Sequence, residues 1–127
     1  MKKQDLPLSP HLQIYKPQIT SLLSISHRIS GVALNFVLVI LVLGLLCITL
    51  GESYFELLIS LINSFPIKII LFLAILGFSY HFLNGIRHII WDFGFLLGNR
   101  SSAIFGYIII ATSFISSVFI SRLLGLF

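Results

Sequence analysis

Charge is the first thing this chain has little of. Charged residues make up only 9% of its 127 residues, against about 25% in an average soluble domain. A surface that poor in charge excludes a soluble globular enzyme and a disordered tail. Acids are scarcest: Asp5, Glu52, Glu56 and Asp92 are the full set, too few and too scattered for the paired carboxylates of a proton-coupled transporter. Cysteine is nearly absent. Cys47 alone excludes an internal disulfide and any thiolate metal cage, and within its apolar run it reads as a small hydrophobe. Methionine is limited to Met1, so no thioether ligand is available in the body of the chain. The eight basic residues are Lys2, Lys3, Lys16, Arg28, Lys68, Arg87, Arg100 and Arg122. Despite a pI near 9.6, they are too dispersed to track a phosphate backbone, and no nucleic-acid partner is expected.

What is abundant is apolar: 57% of residues are hydrophobic and the mean hydropathy is +1.08. The charges punctuate three long uncharged runs, at 29–51, 69–86 and 101–121. Each approaches or meets the roughly 20 residues of a membrane span. In lipid only helices and closed barrels satisfy the backbone, and these runs are too continuous for barrel strands. The expected fold is therefore all-α: an integral membrane protein with three transmembrane helices, forming part of a heteromeric helix bundle. One membrane-anchor domain covers 1–127, with a leader at 1–19 and helices at about 20–50, 66–91 and 102–124. Thr20 or Ser21 is the expected N-cap of the first helix, and Pro66 suits the first turn of the second. In the third, Ser113, Ser117, Ser121 and Gly125 form a stripe that admits a close helix neighbour, in this chain or another.

Lys2 and Lys3 are not followed by an apolar signal core, and the start is not an Arg- and Ser-rich transit peptide. The mature N-terminus is thus expected near residue 1, in a bacterial chain or one made inside the organelle that uses it. Basic residues concentrate before the first helix and after the second, while Glu52 and Glu56 lie between them. This places the N-terminus on the cytoplasmic or matrix side, with Arg122 as the one dissent.

Ionisable groups within spans point to function, and the second helix has His81, Arg87, His88 and Asp92. His81 and His88 share a face two turns apart, with His81 near the midplane and His88 at the inner interface. A midplane imidazole requires a polar network, a water cavity or a metal such as haem iron. Gly85 leaves room for a flat macrocycle to approach. His27, Arg28, Arg87 and His88 gather at the inner edge, where two propionates could be held, Arg by its fork. His27 is expected to lie too shallow for a second axial ligand, so that ligand would come from another chain. On the first helix Ser24, His27, Arg28 and Gly31 share a face, and Ser24 with Arg28 could hold a lipid-soluble carbonyl compound. The plainer readings are a back-bonded Ser24, an Asp92 paired with Arg87 or Arg28, and a Trp91 in the interfacial aromatic belt.

The motifs Ser9-Pro10-His11-Leu12 with Ile14-Tyr15, Ser24-x-x-His27-Arg28-x-Ser30-Gly31 and His81-x-x-x-Gly85-x-Arg87-His88-x-x-x-Asp92 resemble the cytochrome b anchor family of succinate dehydrogenase, respiratory complex II. Leu6 departs from that family's leader, which often has arginine before proline. The resemblance implies haem b shared with a small membrane anchor subunit, with His81 as the axial iron ligand. It places His27, Arg28 and His88 around the propionates, and Ser24 and Arg28 at the ubiquinone site. FAD and iron–sulfur clusters would sit only on the partner flavoprotein and iron–sulfur subunits. The implied location is the mitochondrial inner membrane or the bacterial plasma membrane, in contact with membrane lipid. The same resemblance leaves open an anchor of a quinol:fumarate reductase, or a haem-free structural anchor. A chain with one midplane ligand and part of a quinone pocket is expected to be one piece of a larger oxidoreductase, without catalysis alone.

Overall fold

The computed structural model describes residues 16–127; the Ser-Pro-His-Leu motif and the first lysines lie outside that range. Four helices follow in order, α1 (Ile19–Thr49), α2 (Glu52–Asn63), α3 (Phe65–Asp92) and α4 (Asn99–Leu123). Three of them, α1, α3 and α4, are long and apolar enough to cross a membrane. α1 spans 31 residues, about 46 Å at 1.5 Å per residue, which exceeds a hydrocarbon core of about 30 Å. The excess lies beyond the apolar layer.

The N-cap of α1 is Gln18, with no side-chain cap bond. Thr20 and Ser21 lie inside the first turn. α1 ends at Thr49, and Gly51, which leads into α2, has a φ of 118° that is open only to a residue without Cβ. Next comes α2, a helix of 12 residues where no helix was expected between the first two spans. It is too short to span, and Glu52 in its first turn complements the positive helix end. Pro66 sits in the first turn of α3, where its missing N–H has no carbonyl to serve. Asn99, Arg100 and Ser101, ahead of the start expected at 102, already belong to the first turn of α4.

The interior is polar. Among the described residues only Leu23, Ile109 and Leu126 are buried hydrophobics, while Ser79, Asn84, Arg87, Ser102, Ser113, Ser117 and Ser121 are buried polar residues. Large apolar side chains cover the outside of all four helices, the reverse of a water-soluble core. α4 lies chiefly along α3, with the face Ser102, Gly106, Ile109, Ser113, Ser117 and Ser121 turned inward. Ser113, Ser117 and Ser121 of the expected stripe therefore pack within this chain, whereas Gly125 lies beyond the end of α4 and is exposed. Without a hydrophobic force between helices in lipid, such small faces are what let backbones approach. Ser113 and Ser117 return their hydroxyls to the carbonyls of Ile109 and Ser113, which satisfies them without water.

Candidate functional site

α1 and α3 meet through two histidines and two glycines. A Cβ on Gly31 of α1 would stand 2.9 Å from His81 Cε1, and a Cβ on Gly85 of α3 would stand 3.7 Å from His27 Nε2. The sequence singled out Gly85 as the residue that makes room, but the tighter approach is at Gly31. The two rings stack face to face, with centroids 4.0 Å apart and planes 5° from parallel. His88 packs on the other part of His27, at 5.1 Å and 43°. So His27 bridges the two α3 histidines that lie two turns apart.

Hydrogen bonds set the ring orientations. A carbonyl can only accept, so His81 donates Nδ1–H to the His27 carbonyl at 3.1 Å. Ser30 Oγ is also 3.1 Å from that nitrogen and donates its own proton to the same carbonyl at 2.8 Å. The proton of a neutral His81 is thereby held on Nδ1, and the Nε2 lone pair is left for a ligand. His27 donates Nε2–H to the His81 carbonyl at 3.2 Å. Ser30 was not singled out from the sequence as a partner of His81, because 51 residues separate them.

This corrects the expected depth of His27. Stacked against His81, it stands at the same level. The parallel stacked rings leave no place for an ion between them, and the His27 Nε2–H is engaged. Among the described residues no three metal-binding side chains converge on an ion. The donor set fits one axial imidazole for a haem iron, oriented by a carbonyl and a hydroxyl as metal-binding histidines generally are.

Arg87 also departs from expectation. It is fully buried and turned toward α4, away from the histidine edge. Its guanidinium donates to Asn84 Oδ1 at 3.3 Å and to Ser102 O and Oγ at 3.2 and 3.0 Å. It also covers the Trp91 ring at 4.0 Å. Asn84 and Tyr80 donate to the Leu23 carbonyl at 3.3 and 2.7 Å. Leu23 in turn seats on Gly106, where a Cβ would collide with its Cδ1. One polar junction thus pins α1, α3 and α4 together at this end. Asp92 is exposed, and the Arg87 guanidinium is directed elsewhere.

Ser24 and Arg28 come together beside this junction. They line a cavity of about 420 Å³ with Thr20, Ser21, Ile25 and Trp91. On α1 the serine that bonds to its own His27 carbonyl is Ser30, while Ser24 faces the cavity. Trp91, which the sequence placed in an aromatic belt, closes the α3 side. No spacing rule could have found it, because its partners lie on another helix.

Comparison with known proteins accords with this arrangement. A family described as the succinate dehydrogenase/fumarate reductase transmembrane subunit matches residues 2–120. The succinate dehydrogenase cytochrome b556 subunit of Rickettsia typhi is 45% identical over 107 residues, covering 84% of this chain and 83% of that protein. The cytochrome b560 subunits of Marchantia polymorpha and Chondrus crispus are each 45% identical, over 75% and 76% of this chain and 73% and 78% of their own lengths. With a match across nearly its whole length and three apolar spanning helices, the chain belongs to the succinate dehydrogenase/fumarate reductase transmembrane-subunit family and is a membrane subunit of such an oxidoreductase.

Proposed function

We propose that this subunit is the haem-b-carrying, quinone-binding anchor of a succinate:ubiquinone oxidoreductase. The observation that carries the reading is the state of His81: its Nδ1–H is occupied by the His27 carbonyl and Ser30, so Nε2 is the free donor. Haem b, when bound, supplies a one-electron redox centre within the membrane. His81 would hold its iron through Nε2, and a small anchor subunit would share in holding the group. His88 and Arg28 would serve the propionates, with Arg28 exposed where a carboxylate can reach its fork; His27, stacked on His81 with its Nε2–H given to the His81 carbonyl, has no proton left to offer one.

The cavity beside Ser24 and Arg28 suits a ubiquinone head group. A hydroxyl and a guanidinium can both donate to a quinone carbonyl, and the charge favours the oxygen as negative charge develops there. Electrons would arrive from succinate through a flavoprotein and an iron–sulfur subunit, which carry FAD and the clusters. Those subunits would dock at the end of the bundle that holds the cavity. The basic flanks argue that this end, with the N-terminus, faces the cytoplasm or matrix. The relatives' names fit a bacterial plasma membrane or a mitochondrial inner membrane.

The test is a dithionite-reduced minus oxidised spectrum of the purified complex beside its His81→Ala variant. Loss of the b-type bands with the soluble subunits still bound supports the assignment, and unchanged bands sink it. For the cavity, Arg28→Leu should slow ubiquinone reduction by ten-fold or more while succinate still reduces a water-soluble dye that accepts upstream. Equal loss in both assays would mean failed assembly, whereas an unchanged ubiquinone rate with the dye rate intact would refute a quinone role for Arg28.

A further inference from the structure

Arg87 is an unusual thing to bury. It is fully buried in the helix bundle, and among the described residues its partners are Asn84, Ser102 and the face of Trp91, with no carboxylate. Its Nε has no hydrogen-bond partner among the described residues. An unneutralised guanidinium is expensive in such a place, and an apolar side chain of similar size would often hold a fold equally well. What an apolar residue could not supply is attraction to the indole ring. A cation over the face of tryptophan is strongest where water is excluded.

The ring it covers is the cavity wall. Trp91 lines the cavity opposite Ser24 and Arg28. It makes a T-shaped contact with His88, at 5.1 Å and 87°, while Arg87 covers its face at 4.0 Å. The indole is thus held from two sides. A flat head group with carbonyls directed at Ser24 and Arg28 needs an apolar, planar surface opposite them, and aromatic rings favour offset or edge contacts with one another.

We propose that Trp91 is the α3-side wall against which a quinone ring is positioned, and that Arg87 is the positioning residue that holds the indole in place. This rests on the quinone reading of the cavity, so the experiment separates the two. In membranes carrying the whole complex, KM and kcat are measured with a short-chain ubiquinone, and the dye-linked rate reports assembly. Trp91→Leu should raise the quinone KM roughly ten-fold with the dye rate unchanged, and Trp91→Phe, which keeps a ring, should remain near the parent value. Arg87→Met should raise KM about five-fold, and Arg87→Lys, which keeps a cation over the ring, should restore most of it.

An unchanged KM in Trp91→Leu, in a complex where Arg28→Leu does impair quinone reduction, overturns the wall while the cavity stands. If neither variant alters quinone kinetics, the quinone reading itself fails. Arg87→Lys with a KM as high as that of Arg87→Met, or an Arg87→Met complex that loses dye activity and quinone activity together, overturns the positioning role.

Discussion

The two ends of this helix bundle are held by different physics. At the end with the histidines, α1, α3 and α4 are joined by named polar contacts: His81 to His27 and Ser30, Tyr80 and Asn84 to Leu23, Arg87 to Ser102. At the end with α2, α1, α2 and α3 surround an apolar cavity of about 390 Å³, lined by residues such as Val37, Leu41, Gly44, Leu58, Ile62 and Leu71. There, packing is generic and directional bonds between helices give way to side-chain contact. Polar bonds in lipid specify rotation and depth; apolar contact specifies neither. A redox site needs fixed geometry, so it belongs at the first end.

That contrast can be tested from its strongest point downward. Gly31→Val should have the largest effect, because its branches would occupy the position of His81 Cε1, which lies 2.9 Å from even a Cβ. The ring would be driven from its carbonyl and hydroxyl partners, and the b-type spectrum of the complex should be lost or greatly reduced. A full-intensity spectrum would show that the histidine pairing is not needed.

Gly106→Val comes next. Its side chain meets Leu23 and comes close to Arg87 Nη2, a case of overpacking that costs about 1–3 kcal/mol, read as a lowered thermal midpoint of the detergent-solubilised complex. Ser102→Ala should cost about 1 kcal/mol, since the Arg87 bond to Ser102 Oγ is lost while that to the backbone carbonyl remains. At the opposite end Gly44→Ala should be the smallest change. A Cβ there meets only Leu58 Cδ1, at 3.9 Å, and alanine favours a helix over glycine by up to about 1 kcal/mol. A midpoint equal to or above the parent's is expected; a drop as large as that of Gly106→Val would erase the difference between the ends.

Much of this fold was legible in the order of residues. The three spans follow from uncharged runs near the thickness of a bilayer, and the helical state follows because lipid offers no partner to an open backbone. α2 was not legible as a helix: Glu52 and Glu56 interrupt the hydrophobic pattern and mark a loop between the first two spans, although their spacing of one turn suits a short amphipathic helix. The histidines, Ser24 and Arg28 were legible as a group because helical spacing places them on shared faces. Ser30, Gly31 and Trp91 were not legible in their roles, since each acts on a residue of another helix. Arg87 was placed at the wrong face for the same reason, its direction being set by Ser102 and Gly106 on α4.

The sequence by itself determined that this chain lives in lipid, crosses it with three helices, and carries scarce polar groups that function has to explain. It also contained the motifs by which the family is known. Only the tertiary structure decided which nitrogen of His81 is free, that His27 stands level with it, and that Arg87 turns to Trp91 instead of the histidine edge. Periodicity determines which residues share a face of one helix. The rotation and depth of one helix against another depend on where glycines and serines let backbones meet, and that is settled only when all the helices are packed together.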